Sequence, residues 1–145
     1  MHRLGGVTTD INTEATRAVS MMKATITQRF VIDGCEVDAE SDCRFCYFWE
    51  KCDGRWGARF VRHWYEKDKL IPVDPRKVPK LNDEKLKELP YGYRYLGYCQ
   101  EETMGVKVVP DMPGHMREGD NANGKMHDML YSLCKKWLDG DKLVI

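Results

Sequence analysis

The sequence has 145 residues, with 23 Lys and Arg against 23 Asp and Glu, so its formal net charge is zero. That length fits one domain able to bury a core without staples, and 42% hydrophobic with 10% aromatic residues is globular rather than disordered. Zero net charge argues against a general nucleic-acid or membrane-surface binder; with no run of about 18 apolar residues and no signal-like start, the expectation is a soluble, cytoplasmic protein.

The first half reads as β. Residues 3–11 form a short strand, closed by Asn12-Thr13-Glu14. Residues 18–32 are rich in β-branched side chains, and Asp33-Gly34 follows as a hairpin signal. From Cys35 to Glu50 the chain alternates, with Val37, Ala39, Cys43, Phe45, Tyr47 and Trp49 on one face and Glu36, Asp38, Glu40, Asp42 and Arg44 on the other. Asp53-Gly54 is a second turn of the same type, and the next strand runs from Arg55 to about Tyr65. The result is an antiparallel meander over residues 1–68, one face packing a core and the other wet.

The second half, 69–145, reads as a helical and irregular extension. Pro72, Pro75 and Pro79 mark an irregular connection, and Asn82 caps a short helix that Pro90 stops. A better helix spans Tyr91 to about Met104, with Tyr95, Leu96, Tyr98 and Cys99 as its apolar stripe. An extended stretch to His115 and a loop at 120–124 lead to a last helix over 125–138, with Met129, Leu130, Leu133, Cys134 and Trp137 on one side. Strands first and helices second make a single α+β domain.

The six cysteines are expected to be free thiols filling apolar space. Cys43 and Cys46 have C-x-x-C spacing, but three residues apart on one strand they point to opposite faces, which argues against a metal or redox site. His115 and His127 have no metal-ligand spacing. The glycines near Trp56 lack the strand–loop–helix context of a phosphate loop, so neither metal nor cofactor is expected.

The runs Ala24-Thr25-Ile26-Thr27-Gln28-Arg29, Asp33-Gly34-Cys35-Glu36-Val37-Asp38, Arg44-Phe45 and Glu50-Lys51-Cys52-Asp53-Gly54-Arg55-Trp56-Gly57 carry a resemblance. With Tyr65-Glu66-Lys67-Asp68, Pro72-Val73-Asp74-Pro75, Pro90-Tyr91-Gly92-Tyr93-Arg94 and Asp111-Met112-Pro113-Gly114, their order and spacing resemble the SnoaL-like family of the nuclear transport factor 2 superfamily over roughly residues 2–138. The resemblance implies a cone: a curved antiparallel sheet of about four strands around a pocket. It also implies a cofactor-independent lyase, isomerase or cyclase acting on a hydrophobic small molecule, although such a fold supports a pocket better than any one reaction. The family places helices ahead of the first strand, whereas here that strand starts at once. The chain is therefore read as a fragment, a mis-started product or a shortened variant, with an open apolar face that favours homo-oligomers through the sheet.

By the same resemblance His2 is the catalytic candidate, a general base at the start of its strand whose orienting carboxylate would come from the missing helices. Arg62 shares the parity of Trp56, Ala58 and Phe60, and with Phe60 and Trp64 it is expected on the pocket side, where its guanidinium fork contacts substrate or else pairs with a carboxylate of a neighbouring strand. His63 and Tyr65 have the opposite parity and are expected against helices or solvent, and Lys23, Thr25, Thr27 and Arg29 mark an exposed face. The alternative is a non-catalytic ligand-binding or dimerisation domain, or a truncated product without activity of its own.

Overall fold

The computed structural model describes residues 1–109 and 126–143, with side chains of 126–128 left aside. Four strands, β1 His2–Ile11, β2 Arg17–Ile32, β3 Cys35–Cys52 and β4 Arg55–Pro72, form one antiparallel sheet in sequential order. Among the described residues three helices follow: α1 Asp83–Glu88, α2 Arg94–Met104, entered through a 3-10 turn at Tyr91–Tyr93, and α3 Met126–Leu138. The expected α+β class and meander are thus observed. The extended stretch beyond residue 109, the loop at 120–124, His115 and the His127 side chain lie outside what is described.

Both expected hairpins form. Asp33 and Gly34 have φ of 49° and 69°, Asp53 and Gly54 of 51° and 78°, and two consecutive positive φ values give the turn whose twist matches the flanking strands. The β1–β2 turn is held by Asn12, whose Oδ1 accepts from the backbone N–H of Thr16 and Arg17, both at 2.9 Å. In α1 the Asn82 carboxamide oxygen accepts from Glu84 and Lys85 N–H, the expected N-cap.

Strand β4 runs seven residues past the expected Tyr65, to Pro72. The charged run Glu66-Lys67-Asp68-Lys69 belongs to the strand. Lys67 and Lys69 pair with Asp42 and Glu40 across the ladder, while Leu70 packs with Ala39 under α2.

One expectation is corrected. The sheet does not have one dry and one wet face; each face is dry at a different end. β2 and β3 pair without a slip from Arg17↔Glu50 to Ile32↔Cys35, so their alternation is strict. On the first face, Phe30, Ile32, Val37 and Ala39 pack against Leu89, Leu96, Tyr98 and Cys99 of the α1–α2 region. On the second face, at the other end, Val19, Cys46, Phe48 and Trp64 pack against Leu130, Cys134 and Trp137 of α3. Burial in β3 switches parity at Phe45-Cys46.

Helix α3 is tied down by Trp137. Its indole N–H donates to the carbonyls of Ala18 (3.2 Å) and Trp49 (3.1 Å), and the Arg17 guanidinium lies 4.2 Å over its ring while pairing with Glu50. The rest of the second face carries ion pairs, Arg3 and Lys69 on Glu40, Arg44 and Lys23 on Glu66, and Arg29 on Asp38. The expected exposed face of Lys23, Thr25, Thr27 and Arg29 is this one. Solvated pairs of this kind contribute little stability each.

Candidate functional site

Three register shifts decide which side chains meet. They fall between Leu4 and Val7 in β1 and, in the β3–β4 ladder, between Asp42 and Cys43 and between Phe48 and Trp49. Each inserts a residue, sharpens the local twist and reverses facing parity beyond it. The last shift puts Trp56 and Ala58 on the first face but Phe60, Arg62 and Trp64 on the second, opposite Phe48, Cys46 and Arg44. The expected pocket-side set of Phe60, Arg62 and Trp64 is therefore not where an unbroken parity count puts it. Phe60 meets Trp137 edge-on at 5.6 Å, Trp64 is buried in the α3 core, and Arg62 lies between them, half-buried. None of the three shares a face with His2.

The same shift brings His63 to the first face. It stands across from Phe45, ring centroids 4.3 Å apart, while His2 meets Phe45 edge-on at 5.9 Å. Two imidazoles thus flank one buried phenyl ring. His2 is exposed, but its strand is paired: it stands opposite Ile26, and Met1 exchanges backbone hydrogen bonds with Thr27. Burial pushes the His63 pKa down, helped by the like charge of His2, which favours a neutral ring able to accept a hydrogen bond or a proton. No carboxylate hydrogen-bonds to His2 among the described residues.

Around this trio the first face is apolar. Ala24, Ile26, Cys43 and Phe45 form a small core cluster edged by Met22, Tyr47 and Tyr65. Tyr47 stacks on Trp49 at 5.6 Å. Leu4, Val7 and Ile11 of β1 are 62%, 55% and 58% exposed, and Trp56 and Val61 of β4 are exposed as well. Burial raises the pKa of Cys43 to about 11 and that of Tyr65, so both stay neutral at ordinary pH. At its edge Tyr65 packs against Tyr93 of the 3-10 turn, ring centroids 4.8 Å apart.

A second ionisable group lies where α2 begins. Asp68 accepts the Leu96 N–H at 2.8 Å. Burial pushes its pKa up to about 6, against the opposing pull of the Leu96, Tyr95 and Arg94 backbone N–H groups and the Arg94 charge. Ser41, directly opposite Asp68 in the ladder, is fully buried with its hydroxyl unpartnered among the described residues. Across the sheet, on the second face, a groove of about 500 Å³ is lined by Arg3, Lys23, Thr25, Glu40, Asp42 and Lys67. Its charges are largely matched in ion pairs, and no group of three or more metal-ligating side chains occurs among the described residues.

The fold and this face define an α+β domain with an open aromatic sheet surface bearing two histidines. No helix among the described residues is long and apolar enough to cross a membrane. No protein-family model matches the chain. It is 63% identical over 148 residues to an uncharacterised protein of Emericella nidulans, covering 99% of this chain and 62% of that protein. It is 56% identical over 145 residues to pea pathogenicity protein 2 of Fusarium vanettenii, and 58% identical over 145 residues to a PEP2-like protein of the same fungus. Both matches cover all of this chain and 62% of the relative. The chain thus spans less than two thirds of the length of these relatives.

Proposed function

We propose that the first face, from β1 across to β4, is a small-molecule site of the SnoaL-like kind, the curved sheet serving as one wall of a cone. The observation that carries this reading is the convergence of His2 and His63 on Phe45 within an exposed aromatic surface. A hydrophobic ligand lying against Tyr47, Trp49 and Val61 would bury surface that is otherwise wet. In the enzymatic form His2 takes a proton from carbon next to a polarised carbonyl or leaving group onto a free ring nitrogen, with no cofactor. His63, held neutral by burial, orients the ligand oxygen or relays the proton. The zero net charge suits an uncharged or weakly charged ligand.

The exposure of Leu4, Val7 and Ile11 favours a second reading. In it the same face binds protein, either another copy of the chain or the additional length that the relatives possess, and catalysis is absent or needs that length. Binding of anilinonaphthalene sulfonate, followed by fluorescence, separates the sites. Val61→Asp and Val7→Asp, both at exposed positions, should weaken dye binding at least tenfold, while Lys23→Asp on the other face leaves it unchanged. Equal binding by all three variants would refute the placement of the site. Loss of a dimer in the Val variants, without any dye binding by the parent protein, would favour the second reading.

A further inference from the structure

Away from the histidine-bearing face, Cys46 in mid-β3 and Cys134 on α3 meet inside the second-face core. Cys46 is fully buried, Cys134 is 7% exposed, and their Sγ atoms are 3.9 Å apart. Val19, Phe48, Trp64, Leu130 and Trp137 enclose them. Among the described residues no other two cysteine sulfurs come together: Cys43 gives its S–H to the Ala24 carbonyl, and Cys35 and Cys52 sit beside the hairpin turns. We infer that Cys46 and Cys134 are an oxidation site, which hydrogen peroxide converts to a disulfide that ties α3 to the sheet.

The sulfurs must close from 3.9 Å to about 2.05 Å. Helix α3 is held by side-chain packing and by Trp137 rather than by a backbone ladder, so it can settle toward β3 as a unit. Cys134 reacts first. It is the thiol nearer solvent, and its contact with the Cys46 sulfur draws its pKa down, against the opposing effects of burial and of the negative charge of Asp10. The Cys134 sulfur attacks one peroxide oxygen, the O–O bond breaks, and the thiol proton leaves with the other oxygen as water. Cys134 is then a sulfenic acid. The Cys46 sulfur attacks it, the S–S bond forms, the S–O bond breaks, and hydroxyl leaves with the Cys46 proton as a second water. Two thiols are oxidised by two electrons and one peroxide is reduced to two waters.

The purified protein is exposed to hydrogen peroxide, alkylated, digested with trypsin without reduction and read by mass spectrometry. The expected product joins peptide 45–51 to peptide 126–135, two hydrogens lighter than their sum, and separates on reduction. A disulfide closing so long a loop should raise the melting temperature by roughly 10 °C, and Cys134→Ala should abolish that rise. Recovery of Cys46 and Cys134 as unjoined, alkylated peptides while Cys52 is oxidised would overturn the inference. So would a joined peptide pairing either of them with Cys52 or Cys35.

Discussion

The substitution Asp68→Asn offers a direct probe of the contact between the sheet and α2. The carboxylate is largely buried, and its pKa rises from the ordinary 3.8 to about 6 because burial outweighs the N–H groups of the α2 start. A folded-state value above the unfolded one means that the folded protein holds the proton more tightly. The associated stability is therefore fully present below about pH 4 and is lost as pH rises through about 6. The difference from 3.8 to about 6, at about 1.4 kcal/mol per pH unit, amounts to about 3 kcal/mol. The carboxamide introduced by Asp68→Asn keeps an oxygen to accept the Leu96 N–H but carries no charge. Urea unfolding of parent and variant at several pH values between about 3.5 and 7 would show the effect as a difference. The variant should gain up to about 3 kcal/mol on the parent across that range, nearly all of it by pH 7. Parallel stability curves would refute the assignment, and so would a variant less stable than the parent at neutral pH.

Other outcomes follow from single contacts. Phe45→Ala should cost about 3–5 kcal/mol in denaturant unfolding; it should also return the His63 pKa toward the ordinary imidazole value, since the ring loses the neighbour that desolvates it. A pKa that stays depressed would place the cause elsewhere. Gly92→Ala would set a Cβ 2.7 Å from the Tyr65 carbonyl oxygen, and overpacking of this kind costs about 1–3 kcal/mol. A melting temperature equal to that of the parent would mean that the 3-10 turn shifts freely away from β4.

The strands, both Asp-Gly hairpins, the Asn82 cap and all three helices are legible in the sequence, because each rests on local chemistry. What misleads is parity. Counting alternate residues along 55–65 assumes an unbroken strand, and the bulge opposite Phe48 and Trp49 moves Arg62, Phe60 and Trp64 to the α3 side while bringing His63 to the face that carries His2. A bulge is set by pairing with a neighbour and leaves no local residue signature here. A signal for two-sided burial was present: Phe45-Cys46-Tyr47-Phe48-Trp49 is an unbroken apolar run, and a strand buried on one face only would have alternated through it. Strand β4 continues past Tyr65 because cross-strand ion pairs make the charged stretch Glu66 to Lys69 a good half-exposed strand.

The central claim, that His2 and His63 look onto one ligand-binding face, is tested most directly by NMR of the histidine ring carbons. The four histidines are assigned by single His→Gln variants, and the protein is titrated with anilinonaphthalene sulfonate. Ring signals of His2 and His63 should shift together and saturate at the same dye concentration, and Val61→Asp should suppress both. Saturable dye binding that leaves both rings unmoved would contradict the account.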